Sequence, residues 1–145
     1  MGSGGHQAYV LRATCDGKTL NGKLYPHPPL VFSVESHHLR VRALFEDNRP
    51  ERASGIAIAP YWNTSPAGDV CLGSMPTPHA AGFAALNQWV EGFFQSEFTH
   101  PNATKLTNHP EGHLGLWRDL AGRDRFPAEW LVPAGNLEQW LCTRR

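Results

Sequence analysis

The sequence predicts an α+β fold with strands first and helices after, on three observations. Apolar residues alternate with period two up to about residue 60, as in half-buried strands. From Phe83 onward they recur at spacings of three and four, the signature of an amphipathic helix. Between the two lies a stretch rich in proline and glycine, so strands and helices are segregated rather than interleaved as in βαβ units. A chain of 145 residues buries one core. Residues 8–145 are therefore read as a single domain, and residues 1–7, MGSGGHQ, as a flexible leader or expression remnant.

Each element follows from local chemistry. AYVLRAT (8–14) and KTLNGKL (18–24) flank Asp16-Gly17, a tight-turn dipeptide, which predicts a first β-hairpin. PHPPLVFSVES gives a proline-bounded strand at 30–35, and HLRVRALFE alternates Leu39, Val41 and Ala43 against Arg40, Arg42 and Leu44. After a turn at 47–55, IAIAP is expected to be the last, edge strand of an antiparallel meander. MPTPHAAGFAALNQWVEGFFQSEF opens with prolines and places Phe83, Leu86, Trp89, Val90 and Phe93 on one face of a helix of about 14–16 residues. FTHPNATKLTNHPEGHLG reads as loop, and LWRDLAG as a short helix ended by Gly122. A last short helix is predicted at 135–143, packing Leu137, Trp140 and Leu141.

Composition narrows the function. Lys plus Arg equals Asp plus Glu at 13 each, so no broad basic face is available, and nucleic acid and anionic membrane are set aside as primary partners. No apolar run approaches the roughly 20 residues of a membrane span, and the first residues lack the apolar stretch of a signal peptide, which points to the cytoplasm. Cys15, Cys71 and Cys142 are too few and too irregularly spaced for a disulfide framework or a CxxC zinc site, and read as reduced thiols. The matches to a glycosylation acceptor at Asn63 and Asn102 are read as accidental without a secretion signal. His109 and His113 are four apart, but Pro110 and Gly112 between them oppose a shared helix face, so no metal site is assigned.

Cys71 stands in YWNTSPAGDVCLG, where Pro66 and Gly68 argue against regular structure and for an accessible thiol. A thiolate is intrinsically nucleophilic and forms thioesters that later break readily. The alternative is a buried structural cysteine. Asn63 precedes Cys71 by eight residues (71 − 63 = 8). An asparagine, a turn glycine and then Val-Cys-Leu at this spacing resemble the active-site stretch of ubiquitin-conjugating enzymes. PPLVF, VRALFEDNRP, APYWN, GDVCLGSMPTP, FFQSEFTHPN and TNHPEGHLGLWRDLAG, spanning residues 28–122, are similar to the prokaryotic ubiquitin-conjugating-enzyme-like family of the PRTRC-system protein B type.

That resemblance implies a ubiquitin-conjugating-enzyme-like fold: an antiparallel meander, an active-site loop, a long crossover helix and shorter C-terminal helices. It implies that Cys71 accepts a ubiquitin-like modifier as a thioester from an adenylating activating enzyme and passes it to an amine. A deconjugating metalloprotease is a further implied partner. No bound cofactor is expected, in keeping with the absence of a GxxxxGK[ST] phosphate loop. Asn63 is implied either to stabilise charge on the thioester carbonyl oxygen or to brace the loop. Asp69 is a candidate to orient or deprotonate the incoming lysine, and His100 and Asn102, after the long helix, are candidates to return to the site.

Two departures from the eukaryotic pattern stand out: Tyr61-Trp62 replaces His-Pro, and Gly73 stands where an acidic residue is usual. Two other classes of function compete. One is a non-catalytic module of the same fold that binds a ubiquitin-like or sister protein. The other is a cysteine hydrolase using Cys71 with His100 and Asn102, although Pro76 and Pro78 start the helix too late to activate the thiol.

Overall fold

A computed structural model describes residues 8–13, 18–20, 23–35, 38–71, 78, 83–95 and 105–143. Among the described residues, seven strands run β1 (Ala8–Ala13), β2 (Lys18–Leu20), β3 (Lys23–Tyr25), β4 (Leu30–Glu35), β5 (His38–Leu44), β6 (Gly55–Ile58) and β7 (Pro133–Asn136). Three α-helices are α1 (Phe83–Gln95), α2 (Gly112–Leu120) and α3 (Leu137–Cys142), with a turn of 3₁₀-helix at Ala128–Trp130. The architecture is α+β. A five-stranded antiparallel sheet is ordered β1-β4-β5-β6-β7, and β2 and β3 form a separate two-stranded ribbon.

Period two in β4 and β5 assigns each residue to a face. Leu30, Phe32 and Val34 with Leu39, Val41 and Ala43 form the inner face, on which α1 lays Ala85, Leu86, Trp89, Val90 and Phe93. Phe93 meets Phe32 and Tyr61 edge-on, with ring centroids 5.3 and 5.1 Å apart. Several of the alternate residues are buried too. Val31, Leu44 and Ile56 form a smaller core on the outer face, covered by Leu137 and Trp140 of α3. The sheet is thus covered on both faces, by α1 on one and α3 on the other.

Three expectations are corrected. The Asp16-Gly17 turn does not join a first hairpin: β1 pairs with β4 instead, and β2 pairs with β3 so that Leu20 opposes Lys23. The two residues between them, Asn21 and Gly22, are the stronger hairpin dipeptide. IAIAP is not an edge, because β7 adds to it with an irregularity between Gly55 and Ala57. The short helix containing LWRDL starts earlier than expected, at Gly112, which takes in His113 but leaves His109 before the helix. The described part of the long helix covers 13 residues, close to the predicted length. No helix among the described residues is long and apolar enough to cross a membrane.

Candidate functional site

The stretch leading to Cys71 is regular after all. Cys71 N–H donates to Asn63 O at 2.7 Å and Ser65 N–H to Asp69 O at 2.8 Å, bracketing a bridge between Thr64 and Val70. Residues 63–71 are therefore a hairpin with the three-residue loop Pro66-Ala67-Gly68, closed by Gly68 N–H to Ser65 O at 2.9 Å. Pro66 and Gly68 do not break the structure but make its loop: proline suits the first turn position, and Gly68 has φ +95°. A Cβ at Gly68 would sit 3.0 Å from Val41 O and 3.1 Å from Trp140 Nε1. Gly68→Ala combines a strained φ with these approaches and is expected to lower stability by about 1–3 kcal/mol, measured by urea unfolding.

This register explains the spacing of asparagine and cysteine. Ser65 opposes Asp69, Thr64 opposes Val70, and one step further out Asn63 opposes Cys71. Thr64 and Val70 turn inward and are buried. Asn63, Ser65, Asp69 and Cys71 share the other face, with Ser65 Oγ accepting from Asp69 N–H at 3.0 Å and donating to Asp69 Oδ2 at 3.3 Å. Cys71 is exposed, whereas Asn63 is only 5% exposed. Burial makes Asn63 unsuited to carry a glycan.

The hairpin is clamped on both sides. On the sheet side, Val70 N–H donates to Leu39 O at 2.9 Å and Val41 N–H to Gly68 O at 2.8 Å, so that Arg40 opposes Asp69. On the outer side, Trp140 Nε1 donates to Ala67 O at 3.0 Å and Arg42 Nη2 to Pro66 O at 2.8 Å. Arg40 Nη1 reaches Trp140 O and Thr143 O, both at 3.1 Å, tying down the end of α3. Burial, the adjacent Arg40 and, in opposition, Asp69 together lower the pKa of Arg42 from its ordinary value. A guanidinium nevertheless stays protonated in proteins, and this one faces the Trp140 ring, 5.9 Å from its centroid.

The segment entering the hairpin is fixed by aromatic residues and histidines. Tyr61 is fully buried and its hydroxyl is 2.8 Å from His27 Nδ1. Pro60 O lies 2.7 Å from His113 Nε2 and 3.2 Å from Trp117 Nε1. Because one imidazole nitrogen cannot donate and accept at once, both N–H groups converge on that carbonyl. Burial lowers the pKa of His113, with the Pro60 hydrogen bond opposing, so its ring is neutral at pH 7. Its ring centroid is 4.8 Å from that of Trp62, which is half-buried and packs beside the site.

Among the described residues His109, Glu111 and Asp119 form the one grouping with metal-ligand atoms within 4.8 Å of one another. Both ring nitrogens of His109 already have partners. Nδ1 accepts from Glu111 N–H at 3.0 Å, and Nε2 is 2.7 Å from Asp119 Oδ2. The cluster pins the start of α2 to its last turn rather than offering a ligand set.

Of the sequence-predicted residues, Asn63, Asp69 and Cys71 come together on one face, whereas His100 and Asn102 lie outside the described residues. Sequence reasoning missed Arg40, Arg42 and Trp140. The alternation in HLRVRAL places the arginines on one face, but it carries no sign that a helix a hundred residues later covers them. No curated protein and no solved structure matches the chain. The model of prokaryotic E2 family D matches residues 9–134, most of the domain including the whole 63–71 hairpin, and the chain belongs to that family of ubiquitin-conjugating-enzyme-like proteins.

Proposed function

We propose that the protein carries a ubiquitin-like modifier as a thioester on Cys71 and hands it to an amine. The observation that carries this reading is the cross-strand pairing of an exposed thiol with a buried side-chain amide, Cys71 with Asn63. Directly opposed residues hold their Cβ atoms about 4.5–5.5 Å apart, near enough for the amide of one to reach an acyl group on the other. The thiol is the nucleophile, and the amide N–H is a donor for the oxygen on which charge develops when an amine attacks. An activating enzyme supplies the acyl group at the expense of ATP, so the partners are that enzyme, the modifier and, for reversal, a deconjugating metalloprotease. As a single-domain carrier in the cytoplasm, the chain needs neither a cofactor nor a membrane.

The test incubates the protein with its cognate activating enzyme, the ubiquitin-like protein and ATP, and reads a non-reducing gel. A modifier-sized adduct that reductant removes is expected for the wild type. Cys71→Ala should give none, and Cys71→Ser an adduct that resists reductant. Partners that bind without any adduct would instead make the chain a non-catalytic module of this fold.

A further inference from the structure

The ladder that carries Asn63 to one side of Cys71 carries a histidine to the other. Arg40 opposes Asp69, and the bond from Val70 N–H to Leu39 O extends that register outward. Continued by one residue, that register sets His38 across from Cys71, on the same outer face as Arg40 and Asp69. His38 Nε2 lies 3.4 Å from Asp69 Oδ1, the diagonal neighbour, which agrees with that placement. The His38 side chain is 40% exposed and that of Asp69 20%, so the imidazole reaches solvent while the carboxylate is held, also by Ser65. On the far side β4 places Glu35 opposite His38. One row of the outer face therefore reads Glu35, His38, Cys71, Asn63.

We propose that His38, oriented by Asp69, takes a proton from the amine that attacks the Cys71 thioester; the proposal rests on the thioester reading of Cys71. With Nε2 facing the carboxylate at ion-pair distance, the proton is received at Nδ1. The acceptor amine first gives one proton to solvent. As its nitrogen bonds to the thioester carbonyl carbon, a second proton passes to the imidazole, the carbon–sulfur bond breaks and the electron pair leaves on Cys71 Sγ. The imidazolium then protonates the thiolate, which regenerates both groups. Asn63 on the opposite strand faces the carbonyl oxygen during the same step. His38 is thus a catalytic residue and Asp69 a positioning residue that acts through it. The charged groups facing His38 among the described residues are Glu35 from β4, Asp69 from the hairpin and Arg40 on its own strand.

The test needs neither activating enzyme nor modifier. With Cys15→Ser and Cys142→Ser, Cys71 is the sole thiol. p-Nitrophenyl acetate acylates it, and transfer of the acetyl group to Nα-acetyl-lysine amide is followed by mass spectrometry across the neutral pH range. His38→Gln is expected to slow transfer to the amine about a hundredfold and to flatten the pH profile. Asp69→Asn is expected to lose less, and Asp69→Glu to recover part of that loss. An unchanged rate and profile in His38→Gln overturns the proposal. So does loss of the acetyl group to water with no dependence on amine concentration, which makes the thiol and imidazole those of a hydrolase. If the wild type fails to charge with a modifier, the carrier reading falls, while the acetyl assay still decides the part played by His38.

Discussion

Asn63→Ala is expected to charge with modifier to near wild-type extent and to discharge to free lysine about 10²–10³-fold more slowly, the usual cost of removing one donor from a developing oxyanion. Charging is spared because the register of the hairpin does not come from the side chain. The bond that sets the register is from Cys71 N–H to the backbone carbonyl of Asn63, which any residue supplies. Discharge suffers because the side-chain amide is the donor proposed for the thioester oxygen. Asn63→Asp sharpens the test: it keeps the size but replaces the donor by an acceptor of like charge, so it should discharge no faster than Asn63→Ala. Single-turnover discharge of purified thioester separates the two steps. If Asn63 instead braces the loop, charging, discharge and unfolding midpoint fall together in Asn63→Ala, and Asn63→Asp, similar in shape, recovers part of all three.

How far the site is legible in the sequence depends on how local its geometry is. The asparagine-to-cysteine spacing is a hairpin register written in one stretch: a three-residue loop gives a first pair four apart, and each outward step adds two, reaching eight at Asn63 and Cys71. The helix on the inner face is equally local, since Leu86, Trp89, Val90 and Phe93 fix their own side by periodicity. The pairing of β1 is not local. Asp16-Gly17 and Asn21-Gly22 are both turn dipeptides within nine residues of chain, and which closes a hairpin depends on whether β1 finds β4. Nor is β7, whose sequence PAGN has neither β-branched nor aromatic residues and takes its place in the sheet by pairing to β6. His38 belongs to the same class: its strand was foreseen, but its place beside Asp69 follows from a pairing between segments some thirty residues apart.

The C-terminal helix shows the same dependence in its largest form, because the family match ends at residue 134 and α3 begins at Leu137. Trp140→Ala is expected to cost about 3–5 kcal/mol, the range for emptying a buried aromatic site, as read by urea unfolding. Trp140 is 5% exposed and packs with Val31, Leu44 and Ile56. Its truncation also releases Ala67 O in the hairpin loop and removes the ring facing Arg42, whose Nε and Nη1 have no hydrogen-bond partner among the described residues. Water reaching that guanidinium would offset part of the loss, which places the expected value toward the lower end. Trp140→Phe separates packing from positioning. It keeps a ring over the arginines and gives up the bond to Ala67, so it should cost only about 0.5–1.5 kcal/mol. If α3 is a brace for the hairpin and not merely a cover for the sheet, discharge of the Cys71 thioester falls in Trp140→Phe by more than that small loss of stability explains, with charging unchanged. Equal rates in Trp140→Phe and wild type would make the helix a lid on the outer core, with the loop held by Arg42 at Pro66 O and by the backbone bonds to β5.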